Sequence, residues 1–270
     1  MSAEARRSTL SAHPGPEKSF SDRIATLLAR IECRRVDSIE ERESIYRLRY
    51  QAYLRAGAIS ADPSGRFADA DDEADNAYIF GLYVDAKLAS SLRLHIATKE
   101  FPDFPSLHVF PDVLQPLLDA GKVLVDTTRF VADERLSRLH RGLPYATLRI
   151  CMLAAEYFGA DHLLAAVRAE HQAFYRRAFS HELLCEPRPY PRLAKPISLM
   201  TVHFPSAAER LYRRYPFFRS SVFEQRRLFE RRQPPGTSSG QKFADTKEEA
   251  SQSRETVCPF LELGAVCLAG

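Results

Sequence analysis

A strand-like run, "KVLVDTTRFVAD", is followed by the amphipathic stretch "LPYATLRICMLAAEYFGA" and then by a short apolar run, "DHLLAAVRAE". The first and third have the length and apolar content of strands, and the second keeps its apolar residues on a helical period as far as Gly159. Two strands joined through a helix lie parallel, with a right-handed crossover. The chain must therefore build a sheet with at least one parallel pair and a helix against one face.

Upstream, "AYIFGLYVD" and "KLASSLRLHIAT" meet at a tight turn and predict an antiparallel hairpin. Before them Ser38, with Glu41 three residues on, opens a helix that carries Ile45, Leu48 and Ala52 and stops at Gly57. Downstream, "HQAFYRRAF" reads as a helix and "HELLCE" and "ISLMTVHF" as strands. "SAAERLYRRYPFFRSSVFEQRRLFERR" follows as a helical coda broken near Pro216. Antiparallel strands followed by a parallel crossover give an α+β (mixed α/β) fold, with a single mixed central sheet flanked by helices.

At 270 residues the chain can bury one sizeable core. We expect a leader over 1–22, a folded domain over 23–230 and a tail over 231–270, because both ends are polar, Pro-rich and poor in large apolar residues. The closing segment "VCPFLELGAVCLAG" turns apolar again, as a docking peptide or an exposed tail. No signal-peptide core or bilayer-length apolar run is present, so a soluble cytoplasmic protein is expected. A net charge of +3 does not mark a nucleic-acid binder. The five cysteines form no CxxC pair, so neither a metal site nor a disulfide framework is expected.

Patterning leaves some charges unexplained. Arg49 shares a helical flank with Ala52 and Tyr53, and "FADADDEADN" concentrates acids, among them Asp69 and Asp72, without the glycine and ligand spacing of a calcium loop. Arg93 lies between Leu92 and Leu94 in a strand, and Asp126 and Arg129 share another. A spacing of three sends Asp126 and Arg129 to opposite faces of a regular strand unless a bulge re-aims one of them. Charges withdrawn from water need partners, so Arg49, Arg93, Arg129, Asp69, Asp72 and Asp126 are expected to form one network, structural or catalytic.

The run "RLRYQAY … DADDEADNAYIFGLY … SLRL … VDTTRFV" resembles the acyl-homoserine-lactone synthases and, more closely, the long-chain N-acyl amino acid synthases of the GNAT acyltransferase superfamily. The resemblance covers about residues 40 to 205 and implies a GNAT-like acyltransferase fold. It matches the family's helical arginine and aromatic to Arg49 and Tyr53, its D-x-x-D loop to Asp69 and Asp72, and its strand arginine to Arg93. The E-x-x-R-F signature falls on Asp126, Arg129 and Phe130, with aspartate for glutamate. The lactone synthases carry a tryptophan near the position of Ile59, and this chain has none. That difference, with the extended "CEPRPYPRLAKPISLM" segment, favours the amino acid branch.

The resemblance implies transfer of a long-chain fatty acyl group to the α-amine of an amino acid, with no bound cofactor or metal. The donor it implies is the acyl-phosphopantetheine of acyl carrier protein. A second reason for that donor lies in "RLHRGLPYATL". A coenzyme A pyrophosphate needs backbone N–H groups at the helix start, and Pro144 has none to give. Asp126 is the expected base or water-positioner. Arg93 and Arg129 either grip the substrate carboxylate or orient Asp72 and Asp126. Oxyanion donors are expected from strand backbone near Phe130 to Ala132. Phe130 and Val131 are expected to open the acyl groove, and Leu148, Cys151, Met152, Ala155 and Phe158 are candidates to line it.

From Ser206 to Arg232 eight arginines face three glutamates, which suits an acidic carrier protein or peripheral contact with an anionic membrane. The alternatives are lactone synthesis, a non-catalytic carrier- or lipid-binding module, and a covalent route through Cys151 or Cys185 with His162, His171 or His181 as base.

Overall fold

The computed structural model describes residues 19–230. The expected tail, its apolar end, Arg231 and Arg232 lie outside the described residues, as do the first eighteen residues of the expected leader. Within that leader the structure already begins a helix, α1 (Phe20–Leu28), whose cap Ser19 exchanges hydrogen bonds with Asp22.

After α1 come β1 (Ile31–Arg35), α2 (Ile39–Arg55), and the hairpin strands β2 (Ala77–Val84) and β3 (Lys87–Ala97). Two short helices, α3 (Pro105–Val109) and α4 (Pro111–Asp119), lead to β4 (Leu124–Ala132) and α5 (Glu134–Leu139). The crossover helix α6 (Leu143–Phe158), β5 (His162–Val167), α7 (Gln172–Phe179), β6 (Glu182–Leu183) and β7 (Ser198–His203) follow. The coda forms α8 (Phe204–Arg214) and α9 (Val222–Phe229), separated by a 3-10 turn at Pro216–Phe218.

The strands of the described residues form one seven-stranded sheet in the order β1-β2-β3-β4-β5-β7-β6, and among these strands β4 and β5 alone run parallel. The expected mixed sheet is thus present, and "HELLCE" contributes only a two-residue edge strand. The hairpin turns through Asp85 and Ala86, both with positive φ, the handedness that matches strand twist. α6 ends on Gly159 at φ 62°, a left-handed position open to glycine at no steric cost.

Two irregularities shape the sheet centre. β4 and β5 pair over Leu124–Thr127 and His162–Ala165, and the ladder then stops although both strands continue. Between β3 and β4 the register shifts, Ser91 facing Val131 and Arg93 facing Thr128, so Leu92 stands opposite both Arg129 and Phe130. Arg129 has φ 55°, which makes this a bulge with its first residue left-handed.

One sheet face carries α6, whose side chains pack with Phe80, Leu82, Leu92, Leu94, Val125 and Phe130 in the main core. The coda closes that core. Phe229 touches the rings of Tyr78, Phe80, Tyr157 and Phe158, and Arg149 of α6 grips Glu224 and the Phe217 and Arg219 carbonyls. The other face carries α2. No helix among the described residues is long and apolar enough to cross a membrane.

α1 rests on the turn that opens α6. Ile24 and Leu27 are buried there, and a Cβ placed on Gly142 would lie 2.1 Å from Ile24 Cδ1. Gly142→Ala is therefore expected to push the end of the buried Ile24 side chain aside and cost about 1 kcal/mol, the low end of overpacking. Urea unfolding followed by circular dichroism measures it; unchanged stability would show that α1 does not depend on this contact.

Candidate active site

On α2, Ser38 accepts the Glu41 amide at 3.1 Å and starts the helix. The helix then buries Ile45, Leu48, Arg49, Ala52 and Tyr53 along one stripe. Arg49 has no exposed surface. It is not a solvated arginine, because its Nη1 donates to both oxygens of Asp72 at 2.8 Å.

Asp72 sits in a single 3-10 turn, where the Asp69 amide donates to its Oδ2 at 3.1 Å. Arg93 reaches the same turn from β3. Its Nη1 donates to Asp72 Oδ1 at 2.9 Å and to Asp69 Oδ1, its Nε donates to Thr128 Oγ1 at 3.2 Å, and Asp71 lies 3.5 Å from its Nη2. Arg129 donates from both Nε, at 2.9 Å, and Nη2 to Asp69 Oδ2. Its guanidinium lies 4.9 Å from the Phe67 ring centroid and 5.9 Å from that of Tyr53, while those two rings meet edge to face.

Arg129 joins this cluster because of the bulge. In a regular strand it would point to the α6 face, away from Asp126; the left-handed backbone turns it to the α2 face, where Arg93, Thr128 and Asp126 already lie. The same step separates the next two residues. Phe130 packs into the α6 core and Val131 beneath α2 against Leu48, Ala52 and Tyr53. Phe130 and Val131, expected at the start of an acyl groove, thus lie on opposite faces of the sheet.

The structure joins Arg49, Arg93, Arg129, Asp69 and Asp72, as expected, but leaves out Asp126. That carboxylate, also wholly buried, accepts the Ser106 hydroxyl at 2.7 Å and the Ser106 amide at 3.3 Å. The reason is reach: Asp126 stands across from His95, not Arg93, and the shorter aspartate turns to α3 instead.

The electrostatics divide in the same way. Burial opposes ionisation of Asp69 and Asp72, but guanidiniums outweigh it, Arg129 and Arg93 at Asp69 and Arg49 and Arg93 at Asp72. Both carboxyls are held below the usual aspartate range. At Asp126 burial wins over the Ser106 hydrogen bonds and the charge of Arg93, and the pKa is pushed up to about 6. Burial and Arg93 push His95 down to about 3, so it is neutral; its Nε2 donates to the Asp71 carbonyl at 3.0 Å.

The segment between β6 and β7 closes over the site. The Ala194 amide donates to the Ala58 carbonyl at 3.0 Å, Arg188 pairs with Asp112 of α4, and the Arg192 guanidinium covers Phe67 at 4.5 Å. Buried Tyr190 lies close enough to sense Arg129, Asp126 and Arg93. Ser106, His95 and Tyr190 escaped the sequence reading. Only Tyr190, in a segment already singled out as extended, had a signal; nothing in "FPSLHVF" marks Ser106.

On the α6 face, beside the end of the β4–β5 ladder, a narrow cavity is lined by Thr127, Leu148, Cys151, Met152, Tyr175 and Phe179, among others. Of the expected groove residues, Ala155 is core and Phe158 stacks among rings. Burial pushes the Cys151 thiol up to about 12 and it touches Thr127 Oγ1 at 3.3 Å, which suits a packed thiol and not a nucleophile. Among the described residues no group of His, Cys, Asp or Glu is arranged to hold a metal.

The opening of α6 offers little to a pyrophosphate. The Leu143 amide is spent on the His140 carbonyl at 2.8 Å, the Ala146 amide on Gly142, and Pro144 has none. Ile24 and Leu27 fill the space over Gly142.

A family model described as "N-acyl amino acid synthase FeeM" matches residues 44–203, a span that includes Arg49, Asp69, Asp72, Arg93, Asp126 and Arg129. No curated protein matches the sequence. Among solved structures the chain resembles FeeM, an N-acyl amino acid synthase from uncultured soil microbes, at 18% identity and a TM-score of 0.57, covering 67% of this chain and 94% of that one. TofI, solved in a ternary complex with an inhibitor and MTA, aligns at 12% identity over 70% of this chain and 100% of its own, TM-score 0.51. The AHL synthase LasI aligns at 13% over 63% and 88%, TM-score 0.50. The shared architecture is the GNAT-like acyltransferase fold.

The buried ions yield a stability test. Asp72→Asn leaves Arg49 without its carboxylate, removes one of the three that meet Arg93, and is expected to cost about 3–5 kcal/mol at pH 7. Because the folded pKa of Asp72 is depressed, its contribution is present above the ordinary 3.8 and is lost as pH falls below it. Chemical unfolding across pH should therefore show variant and wild type converging in acid; a constant gap would contradict the ionic origin.

Proposed function

The chain belongs to the FeeM family of N-acyl amino acid synthases, and on that premise we propose that it moves a long-chain fatty acyl group from acyl carrier protein to the α-amine of an amino acid. It is an acyltransferase of GNAT-like fold. The observation that carries this reading is the division among the aspartates of the site: Asp69 and Asp72 are bound by arginines, and among the described residues no arginine pairs with Asp126.

In this reaction the amine nitrogen attacks the thioester carbonyl, the C–N bond forms, and the C–S bond then breaks to release the pantetheine thiol. The α-ammonium must first lose a proton. Asp126, ionised at neutral pH yet more basic than an ordinary aspartate, takes it directly or through one water. Arg93 and Arg129, committed to Asp69 and Asp72, favour the orienting role over gripping the substrate carboxylate. Where β4 and β5 part, the bulged backbone beyond Arg129 is the place for oxyanion donors. The acyl chain would run from there toward the cavity beside α6.

Two features support the carrier-bound donor. The start of α6 lacks a pyrophosphate cradle, whereas a single phosphate needs none. Arg210, Arg213, Arg214, Arg226 and Arg227 are all exposed on the coda, and Arg214 donates to the Arg177 carbonyl, bringing α7 alongside. A basic surface steers an acidic carrier and loses its effect with salt. The same arginines suit an anionic membrane surface, where an acylated product partitions. A carrier-protein donor places the reaction in the cytoplasm.

Incubating the purified chain with acyl-loaded carrier protein and a mixture of amino acids should give an N-acyl amino acid by mass spectrometry. An acyl lactone formed from S-adenosylmethionine, or carrier binding without thiol release, would contradict the proposal. Asp126→Asn should lower turnover roughly 10²–10⁴-fold, the usual contribution of a general base. Its folded value of about 6 exceeds the ordinary 3.8, so the destabilisation from ionising it is absent below 3.8 and complete above 6. The asparagine variant should accordingly be at least as stable as wild type at pH 8 by thermal unfolding. A large loss of stability would instead mark Asp126 as a structural charge.

A further inference from the structure

Asp126 is fully buried and, among the described residues, has no arginine, lysine or histidine in hydrogen-bond contact; the hydrogen bonds to its carboxylate come from Ser106, one per oxygen. Ser106 is itself fully buried. It is held between Phe104 and Phe110, which anchor α3 and α4 in a separate apolar cluster with Leu114, Leu118, Leu124 and Leu164. The Phe110 amide closes back on the Ser106 carbonyl at 2.9 Å. The hydroxyl is thus fixed by packing on one side and spent on a carboxylate on the other.

Resting on the reading of Asp126 as the base, we propose that Ser106 is a positioning residue for the acyl transfer: its hydroxyl and amide lock the Asp126 carboxylate in one orientation and set the pH at which it accepts the ammonium proton. Other charged or titratable groups facing Asp126 are Arg93 and His95 from β3, Asp71 from the acidic turn and Tyr190 from the segment before β7. Arg93 favours the carboxylate and Asp71 opposes it. His95 is neutral, and burial keeps Tyr190 in its phenol form. Arg93 is engaged by three aspartates and Thr128, so the group that can be altered at Asp126 without disturbing the ionic cluster is Ser106.

A hydrogen bond to the charged form lowers an acid's pKa, so removing it raises that pKa. The test is the pH profile of kcat/KM for wild type, Ser106→Ala and Ser106→Cys, alongside Asp126→Asn. In Ser106→Ala the acidic limb should move up by about one pH unit, and the plateau should fall as the carboxylate loses its fixed orientation. Ser106→Cys, which keeps a weaker donor, should fall between and carries the test if the alanine variant does not fold. A uniform loss at every pH with the limb in place would overturn the proposal and leave Ser106 a packing residue. An acidic limb that persists unchanged in Asp126→Asn would overturn the prior assignment of Asp126 as the base. The two failures are therefore separable.

Discussion

The Arg93 guanidinium is the centre on which the site depends. From a fully buried position on β3 it reaches Asp69, Asp71, Asp72 and Thr128, and so ties the acidic turn to the two central strands. Arg49 locks α2 to the same turn through Asp72, and Arg129 locks β4 through Asp69. Three buried guanidiniums are tolerable only when each is met by a carboxylate, here the fully buried Asp72 and the partly buried Asp69 and Asp71, and a missing partner is far more costly than a missing apolar contact. Such a cluster makes α2, the acidic turn, β3 and β4 a rigid unit.

That rigidity explains why the bulge at Arg129 is kept. A non-glycine residue at φ 55° is strained by about a kilocalorie or more, and the strain is offset by the hydrogen bonds that Arg129 makes with Asp69 and by its aromatic walls. The bulge also divides the sheet by chemistry. The α2 face holds the charges; the α6 face, with Phe130 turned onto it, holds the apolar core and a narrow cavity. The ladder between β4 and β5 stops between these two halves, and the proposed thioester would lie there, its acyl chain in one environment and its carbonyl in the other.

Much of this was legible in the sequence, for identifiable reasons. The strand–helix–strand run fixed the parallel pair, and alternation in the hairpin placed Arg93 on the face opposite Leu92 and Leu94. Spacing alone posed the Asp126 and Arg129 question and named the bulge as one of two answers. What spacing does not contain is which residue opposes which across a shifted register, and that decided that Asp126 meets Ser106 instead of an arginine. The α3–α4 segment carries its information in Phe104 and Phe110, two anchors in a stretch without clear period, and α1 is legible only once Gly142 is seen beneath Ile24. Nor does spacing show that the bulge that recruits Arg129 turns Phe130 onto the α6 face.

The central claim is that the arginine cluster keeps Asp69 and Asp72 ionised while Asp126, outside it, titrates near neutrality. Carboxyl carbon NMR of the protein labelled at aspartate, followed from pH 3 to 8, measures this directly. One resonance should titrate near pH 6 and vanish in Asp126→Asn, while the resonances lost in Asp69→Asn and Asp72→Asn stay in the carboxylate form until the pH falls below the usual aspartate range. An Asp126 resonance titrating in the ordinary range near 4, or an Asp69 or Asp72 resonance titrating above it, would contradict the account.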